Sequence, residues 1–226
     1  MVEEQFKKSG ASDSRFFVEP VIQQIHLPAG IAGPYEMDLD VRCFLVGAPD
    51  RLILIDAGPE GSAFAIDQAL QRVNAPWSDV TDIVLTHSHP DHVGGLDEVV
   101  SKAPGAAVWA GAPDIPNIPS ADPLRPLREG DHVGGLRVLQ TPGHTSGHIS
   151  LLDEDGGVLF VGDALGTLTG AVARAPSQFT SDAAQAEESL RRLSETQPTR
   201  MLFSHGPEVP DPVAQLRGLL AGTSGT

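Results

Sequence analysis

The chain has 226 residues, 40% of them hydrophobic, enough for a core that needs no disulfide staples, and its one cysteine, Cys43, can form none within the chain. A net charge of −15 weighs against a nucleic-acid backbone as partner, because binding there depends on lysine and arginine displacing counterions. No apolar run reaches the length of a membrane span and the polar stretch from Met1 to Ser14 lacks a signal peptide's apolar segment, so the expectation is a cytoplasmic protein acting on a small molecule, apart from nucleic acid and membrane, with room for a homo-oligomer.

Residues 1–15 read as a flexible N-terminal lead-in and 16–226 as a single domain. Strands are expected over 16–27, 43–46 and 52–55, with His26 structural on the first and Cys43 a core residue on the second. Phe64, Ile66, Ala69, Leu70 and Val73 form an apolar stripe with near-helical spacing, which predicts a helix over 62–73. A strand over 83–86, a helix over 91–101 carrying Leu96, Val99 and Val100 inward, and a strand over 106–110 continue the pattern. Further strands fall at 137–140, 149–152, 158–161 and 200–203, with helices over 181–195 (Leu190 and Leu193 inward) and 212–220. Helices mixed with hairpin-like and crossover strands predict a layered α/β architecture.

Three segments rich in proline, glycine or small residues are expected to border a cleft. Residues 28–40 hold Ile31, Tyr35 and Met37, which suit an apolar flap. Residues 112–126 hold five prolines and suit a stiff surface loop. Residues 164–179 offer Leu165, Leu168, Val172, Arg174 and Phe179. Tyr35 and Phe179 are the candidate substrate contacts.

The chemistry concentrates in Thr86 to Gly95, which sets three imidazoles and a carboxylate within six positions, His87 to His92. Pro90 stops a helix from running back through the histidines, so His87 to Pro90 lie on a loop at a strand end. In an extended segment His87 and His89 point the same way and can grip one ion, while Asp91 and His92 follow at the helix start where they can face a second. Four ligands do not complete two sites that each keep a position open for water or substrate. His144 in Thr-Pro-Gly-His-Thr-Ser-Gly-His, Asp163 in Leu-Phe-Val-Gly-Asp and His205 in Met-Leu-Phe-Ser-His-Gly are the candidates to complete them. His148 is placed as a supporting partner of the ligands. Residues 131–136 repeat the Asp-His-Val-Gly-Gly-Leu of residues 91–96 but lack the two preceding histidines, so His132 is expected on a hairpin without metal.

With these motifs in this order, the chain from about Ile22 through His205 resembles the metallo-β-lactamase superfamily of hydrolases, Asp56-Ala-Gly being the first of five signals. The resemblance implies a four-layer αββα sandwich with metals at one edge between its sheets. It implies that His87, His89 and His144 bind one metal, that Asp91, His92 and His205 bind the other, and that Asp163 bridges them. Asp56 would then orient a ligand by accepting its remaining N–H. The implied cofactor is a pair of divalent ions, zinc first, with iron or manganese as alternatives. The implied reaction is hydrolysis of an ester-like carbonyl bond, a thioester or lactone, by a hydroxide bridging the metals, with Asp91 orienting the water or relaying a proton. Asp163 argues against a true β-lactamase. A glyoxalase II would carry a C-terminal helical extension for glutathione, for which the residues after His205 leave little room. The alternative of another class is a mononuclear iron persulfide dioxygenase using His87, His144 and Asp163.

Overall fold

The computed structural model describes residues 16–31, 34–48 and 51–222; the expected lead-in over 1–15 lies outside them. The first half holds β1 (Phe17–Leu27), β2 (Met37–Ala48), β3 (Arg51–Ile55), α1 (Ala63–Arg72), β4 (Val80–Leu85), α2 (Pro90–Val93), α3 (Leu96–Lys102), β5 (Ala107–Gly111) and β6 (Arg125–Leu127). The second half holds β7 (His132–Val133), β8 (Leu136–Gln140), β9 (Ile149–Asp153), β10 (Val158–Phe160), β11 (Leu165–Gly166), β12 (Ala173–Arg174), α4 (Ala183–Glu195), β13 (Arg200–Leu202) and α5 (Pro212–Leu220).

The first six strands form one sheet in chain order, antiparallel from β1 to β3 and parallel from β3 to β6. The second sheet runs β13-β10-β9-β8-β7. Alternation along each strand builds three apolar layers, since successive side chains point to opposite faces. Leu45 and Leu54 meet Ile66, Leu70, Leu96 and Val99 of α1 and α3 on one side of the first sheet. Their neighbours Phe44, Val46, Ile53 and Ile55 meet Val138, Leu151 and Phe160 between the sheets. Leu139, Leu152 and Leu159 face Leu190, Leu193 and Leu216 of α4 and α5 beyond the second sheet. The result is helix, sheet, sheet, helix, as the family resemblance implies. Each fully buried leucine or isoleucine in these layers stabilises the fold by about 1.5–3 kcal/mol relative to exposure.

Two backbone hydrogen bonds stitch the sheets together at one edge. Ile149 N–H donates to the Thr86 carbonyl at 2.9 Å, and Arg42 N–H donates to the Ser204 carbonyl at 2.9 Å. The ends of β4, β9 and β13 therefore converge, and the loops that follow them face each other.

Several elements depart from the sequence expectation. β2 begins at Met37, so residues 37–40 are strand rather than flap; Leu39 pairs across from Ile25 and turns inward, while Asp38 stays exposed. The helix expected over 91–101 is two helices. After α2 the Gly95 N–H turns to the Gly58 carbonyl at 2.9 Å, and the His92 carbonyl accepts the Ala57 N–H at 2.8 Å. The 57–60 backbone packs so close that a Cβ on Gly95 would stand 2.5 Å from the Ala57 oxygen. Residues 112–126 are not simply surface: Asp114 and Ile118 are buried, and Arg125 begins β6. The copy at 131–135 is the expected β7–β8 hairpin, turning through Gly134 and Gly135 at φ of 55° and 91°, conformations that suit glycine.

Candidate metal centre

The seven histidine and aspartate side chains arrive from five places in the chain. His87 and His89 sit on the loop after β4, Asp91 and His92 on α2, His144 between β8 and β9, Asp163 just after β10, and His205 just after β13. The structure brings them together in two groups that share Asp163: His87, His89, His144 and Asp163, and Asp91, His92, Asp163 and His205.

Distances within each group suit a shared ion. His89 Nδ1 lies 3.1 Å from His87 Nε2 and 2.9 Å from His144 Nε2, and Asp163 Oδ2 lies 3.5 Å from His144 Nε2. In the second group His205 Nε2 is 3.2 Å from Asp163 Oδ2 and 3.3 Å from Asp91 Oδ2, and His92 Nε2 is 3.3 Å from Asp163 Oδ1. Ligand atoms about 2.0–2.1 Å from one ion in a tetrahedron stand roughly 3.3–3.4 Å apart. His92 Nε2 and Asp163 Oδ1 are buried, aim into the cluster and lack a hydrogen-bond partner. Such groups are costly to bury unless something else binds them, so the residues fit a metal.

Hydrogen bonds behind the cluster select which nitrogen each ring presents. Asp56 accepts the Thr86 N–H at 2.7 Å, the Thr86 hydroxyl at 2.9 Å and His92 Nδ1–H at 2.8 Å. With its hydrogen committed to Asp56, Thr86 Oγ1 accepts His87 Nδ1–H at 3.0 Å. His205 Nδ1–H donates to the Asp40 carbonyl at 2.9 Å, from the inner end of β2. All three rings thus turn Nε2 inward. Asp56 holds this post at φ 62°, a left-handed backbone that aspartate tolerates better than most residues.

His148 supports the cluster from one step away. Its Nε2 accepts the Asp163 backbone N–H at 3.0 Å, so its Nδ1–H donates to Thr141 Oγ1 at 2.7 Å. Thr141 in turn donates to Ser150 Oγ at 3.0 Å and Ser150 to the Val161 carbonyl at 3.1 Å. This chain runs in one direction and fixes the backbone that carries Asp163. The adjoining Gly162 has φ 58°, and a Cβ there would stand 2.6 Å from His148 Nε2.

Asp114, which the sequence motifs do not single out, plays a comparable part. It is 1% exposed, and accepts the Ser88 N–H at 3.0 Å, the Thr145 hydroxyl at 2.6 Å and the Gly147 N–H at 2.7 Å. It therefore clamps the loop bearing His87 and His89 to the loop bearing His144. An aspartate in a proline-rich loop carries no local signal of such a role.

Charge divides the cluster. Burial holds the imidazole of His87 well below its usual pKa, helped by His92, and lowers His89 as well. Burial takes His144 down to about 4 against the pull of Asp163, and His148 to about 3 with the help of His144. Burial also opposes charge on His92, but Asp163, Asp56 and Asp91 outweigh it and raise this group well above the imidazole range. His205 rises against burial to about 10 beside Asp163 and Asp91. Burial would raise Asp163, but His205 and His92 hold it well below the carboxylate range. Without metal, protons on His92 and His205 thus balance the buried carboxylates, and a divalent ion can take their place.

A cavity of about 500 Å³ opens directly onto the cluster, with His89, Asp91, His144, Asp163 and His205 in its wall. Phe179 lines it. Tyr35 does not: it is 81% exposed, because β2 begins just beyond it and leaves it on the outer side of the turn. His132, on its exposed hairpin, belongs to neither ligand group. No helix among the described residues is long and apolar enough to cross a membrane.

Comparison with known proteins agrees with this fold. The model of the metallo-β-lactamase superfamily matches residues 37–205. The chain is 30% identical over 208 residues to YobT of Bacillus subtilis (strain 168), covering 78% of this chain and 88% of that protein. It is 32% identical over 165 residues to the hydroxyacylglutathione hydrolase of Rhodospirillum rubrum, covering 69% of this chain but only 61% of that enzyme. Among solved structures, TTHA1623 in a di-iron-bound form superposes with a TM-score of 0.64 at 28% identity, covering 89% of this chain and 98% of that one.

Proposed function

This chain belongs to the metallo-β-lactamase superfamily and is a metal-dependent hydrolase, and from that premise we propose that it cleaves an ester-like carbonyl bond, a thioester or lactone, at a dinuclear centre. The observation that carries the proposal is the sharing of Asp163 between two groups of side chains that could each hold an ion. His87, His89 and His144 would hold one ion and Asp91, His92 and His205 the other, with Asp163 touching both. Zinc suits this nitrogen and oxygen donor set, and iron or manganese fit it as well. Two divalent ions, when bound, supply the Lewis acidity that ionises water near neutral pH and polarises a carbonyl oxygen.

The chain's own residues do the rest. Thr86, Asp56 and Asp40 take the Nδ1–H of His87, His92 and His205, so that Nε2 of each ring faces the cluster; on His92 and His205 that nitrogen would give up its proton when an ion enters. Asp91 stands at the cavity wall with its carboxylate half-buried, where it can orient a water and pass its proton toward solvent. Phe179 and the residues around it would hold the substrate against the cluster. The mononuclear iron alternative leaves the convergence of Asp91, His92 and His205 without a task, and that convergence favours two ions. Metal analysis of protein purified without added metal, paired with a panel of thioesters, lactones and phosphoesters, tests the reading. Two metals per chain with turnover of a carbonyl ester supports it; one iron per chain with oxygen uptake on a persulfide overturns it.

A further inference from the structure

The wall of the cavity beside the cluster comes from two sides. Ile25 and Leu27 alternate onto one face of β1 and, with Leu39 of β2 and Ile31 beyond it, form one wall. Leu165, Leu168 and Phe179, from the segment that follows Asp163, form the other. Ile31 and Leu168 are 51% and 46% exposed, so the apolar lining continues to the mouth, and it is such contiguous exposed apolar surface, not a single exposed side chain, that marks a binding site.

Apart from the histidines at its floor, the only cation in this lining among the described residues is Arg174. That guanidinium is already engaged: Nε and Nη2 contact the two Glu187 oxygens at 2.8 and 3.0 Å, and Nη2 also reaches the Leu219 carbonyl at 3.3 Å. A bidentate pair of this kind offers a second anion little, because its charge is matched. A substrate with carboxylates away from the scissile bond, such as a glutathione thioester, would lay them against leucine and isoleucine without a free counter-charge.

We propose that this cavity is an acyl chamber selecting uncharged aliphatic acyl groups, with the scissile carbonyl at the cluster and the hydrocarbon chain between the β1–β2 wall and the Leu165–Phe179 wall. The proposal rests on the hydrolase reading for the position of the carbonyl, while the chamber's preference for hydrocarbon is independent of turnover. The size is that of ordinary small-ligand sites, which fall at about 300–1,000 Å³.

The test uses the metal-loaded full chain and a series of aryl esters and thioesters from acetyl to decanoyl, with a succinyl ester and an acyl-glutathione thioester beside them. Burial of each methylene should raise kcat/KM about two- to fourfold until the chamber is full. A flat series, or a preference for the succinyl or glutathione compound over the aliphatic ones, overturns the proposal. Calorimetric binding of decanoate, acetate and succinate gives a readout without turnover, and decanoate should bind at least about tenfold more tightly than the other two. Decanoate selectivity without turnover of any ester sustains the chamber and defeats the hydrolase reading; turnover without chain-length or decanoate selectivity does the reverse. Leu168→Asp, at a half-exposed position that tolerates a polar side chain, should cut the decanoyl-to-acetyl ratio about tenfold, and an unchanged ratio would count against the chamber.

Discussion

Asp114 accepts the Gly147 backbone N–H at 2.7 Å, and through its other oxygen the Ser88 N–H at 3.0 Å, so one buried carboxylate ties together two loops that each carry proposed ligands. Replacing it with alanine leaves these buried donors unpaired, at about 1–3 kcal/mol for each unsatisfied group. Asp114→Ala should lower thermal stability by several degrees and weaken metal retention about 10- to 100-fold, as removal of a ligand's supporting partner commonly does. Asp114→Asn, which keeps the shape but loses the charge, should fall between the two. Chelator competition checks this; retention equal to the parent protein would show that the loops hold themselves.

Gly162 stands at φ 58° against His148, with room for no side chain. Gly162→Ala should destabilise the fold by more than about 1 kcal/mol, from the left-handed backbone alone, and should displace the Asp163 N–H from His148 Nε2. Denaturant unfolding and metal content read the two effects separately. Unchanged metal content would show that Asp163 does not need this support.

The protonation pattern gives the metal-free protein an optimum pH. His205, raised to about 10, and His92, also raised, contribute stability that is complete below the unfolded value of 6.5 and disappears as pH climbs through the raised value. His144 and His148, lowered to about 4 and 3, contribute stability present above 6.5 that disappears as pH falls toward those values. The melting temperature of the metal-free protein should therefore peak near pH 6.5 and decline on both sides. A profile that rises steadily to pH 9 would contradict the charge assignment of His92 and His205.

The same protons should leave when metal enters. Titrating metal into the stripped protein at pH 7.5 should release protons from His92 and His205, seen as a binding enthalpy that varies with the ionisation enthalpy of the buffer. Identical enthalpies in phosphate and Tris would rule this out.

His132 supplies the matched control for His92. Each follows an aspartate and precedes Val-Gly-Gly, yet His92 is buried in the cluster and His132 is exposed on a hairpin. His132→Ala should leave metal content and activity as they were, with stability within about 0.5 kcal/mol of the parent. His92→Ala should lose at least one metal per chain and most activity.

That pair also marks what the sequence can and cannot say. Apart from β6 and the first residues of β2, the strands of both sheets and α1, α4 and α5 were legible because their apolar periodicity is local and agrees with the layer each faces. The convergence of the seven histidine and aspartate side chains was legible because these residues at strand ends have few other uses in such density. Asp-His-Val-Gly-Gly, by contrast, is helical where the 57–60 backbone packs on it and a β-turn where Arg137 and Leu136 pair with it. The second copy pairs with its neighbours in the chain and was legible as a hairpin, whereas the first packs on a segment far away in sequence, which hid the break between α2 and α3. The same reason hid Asp114 among prolines and made Tyr35 look like a cleft residue.

The stitch between Thr86 and Ile149, where the two sheets meet, lies directly behind the proposed ligands. Ions held there would join the ends of β4, β10 and β13 as covalent bridges do in small extracellular proteins, in a chain whose lone cysteine can form no bridge of its own. Metal would then be a fastener as well as a reagent. Stripping it would loosen the seam between the sheets first at this edge, leaving the far edge, where β7 turns back on β8, to open last.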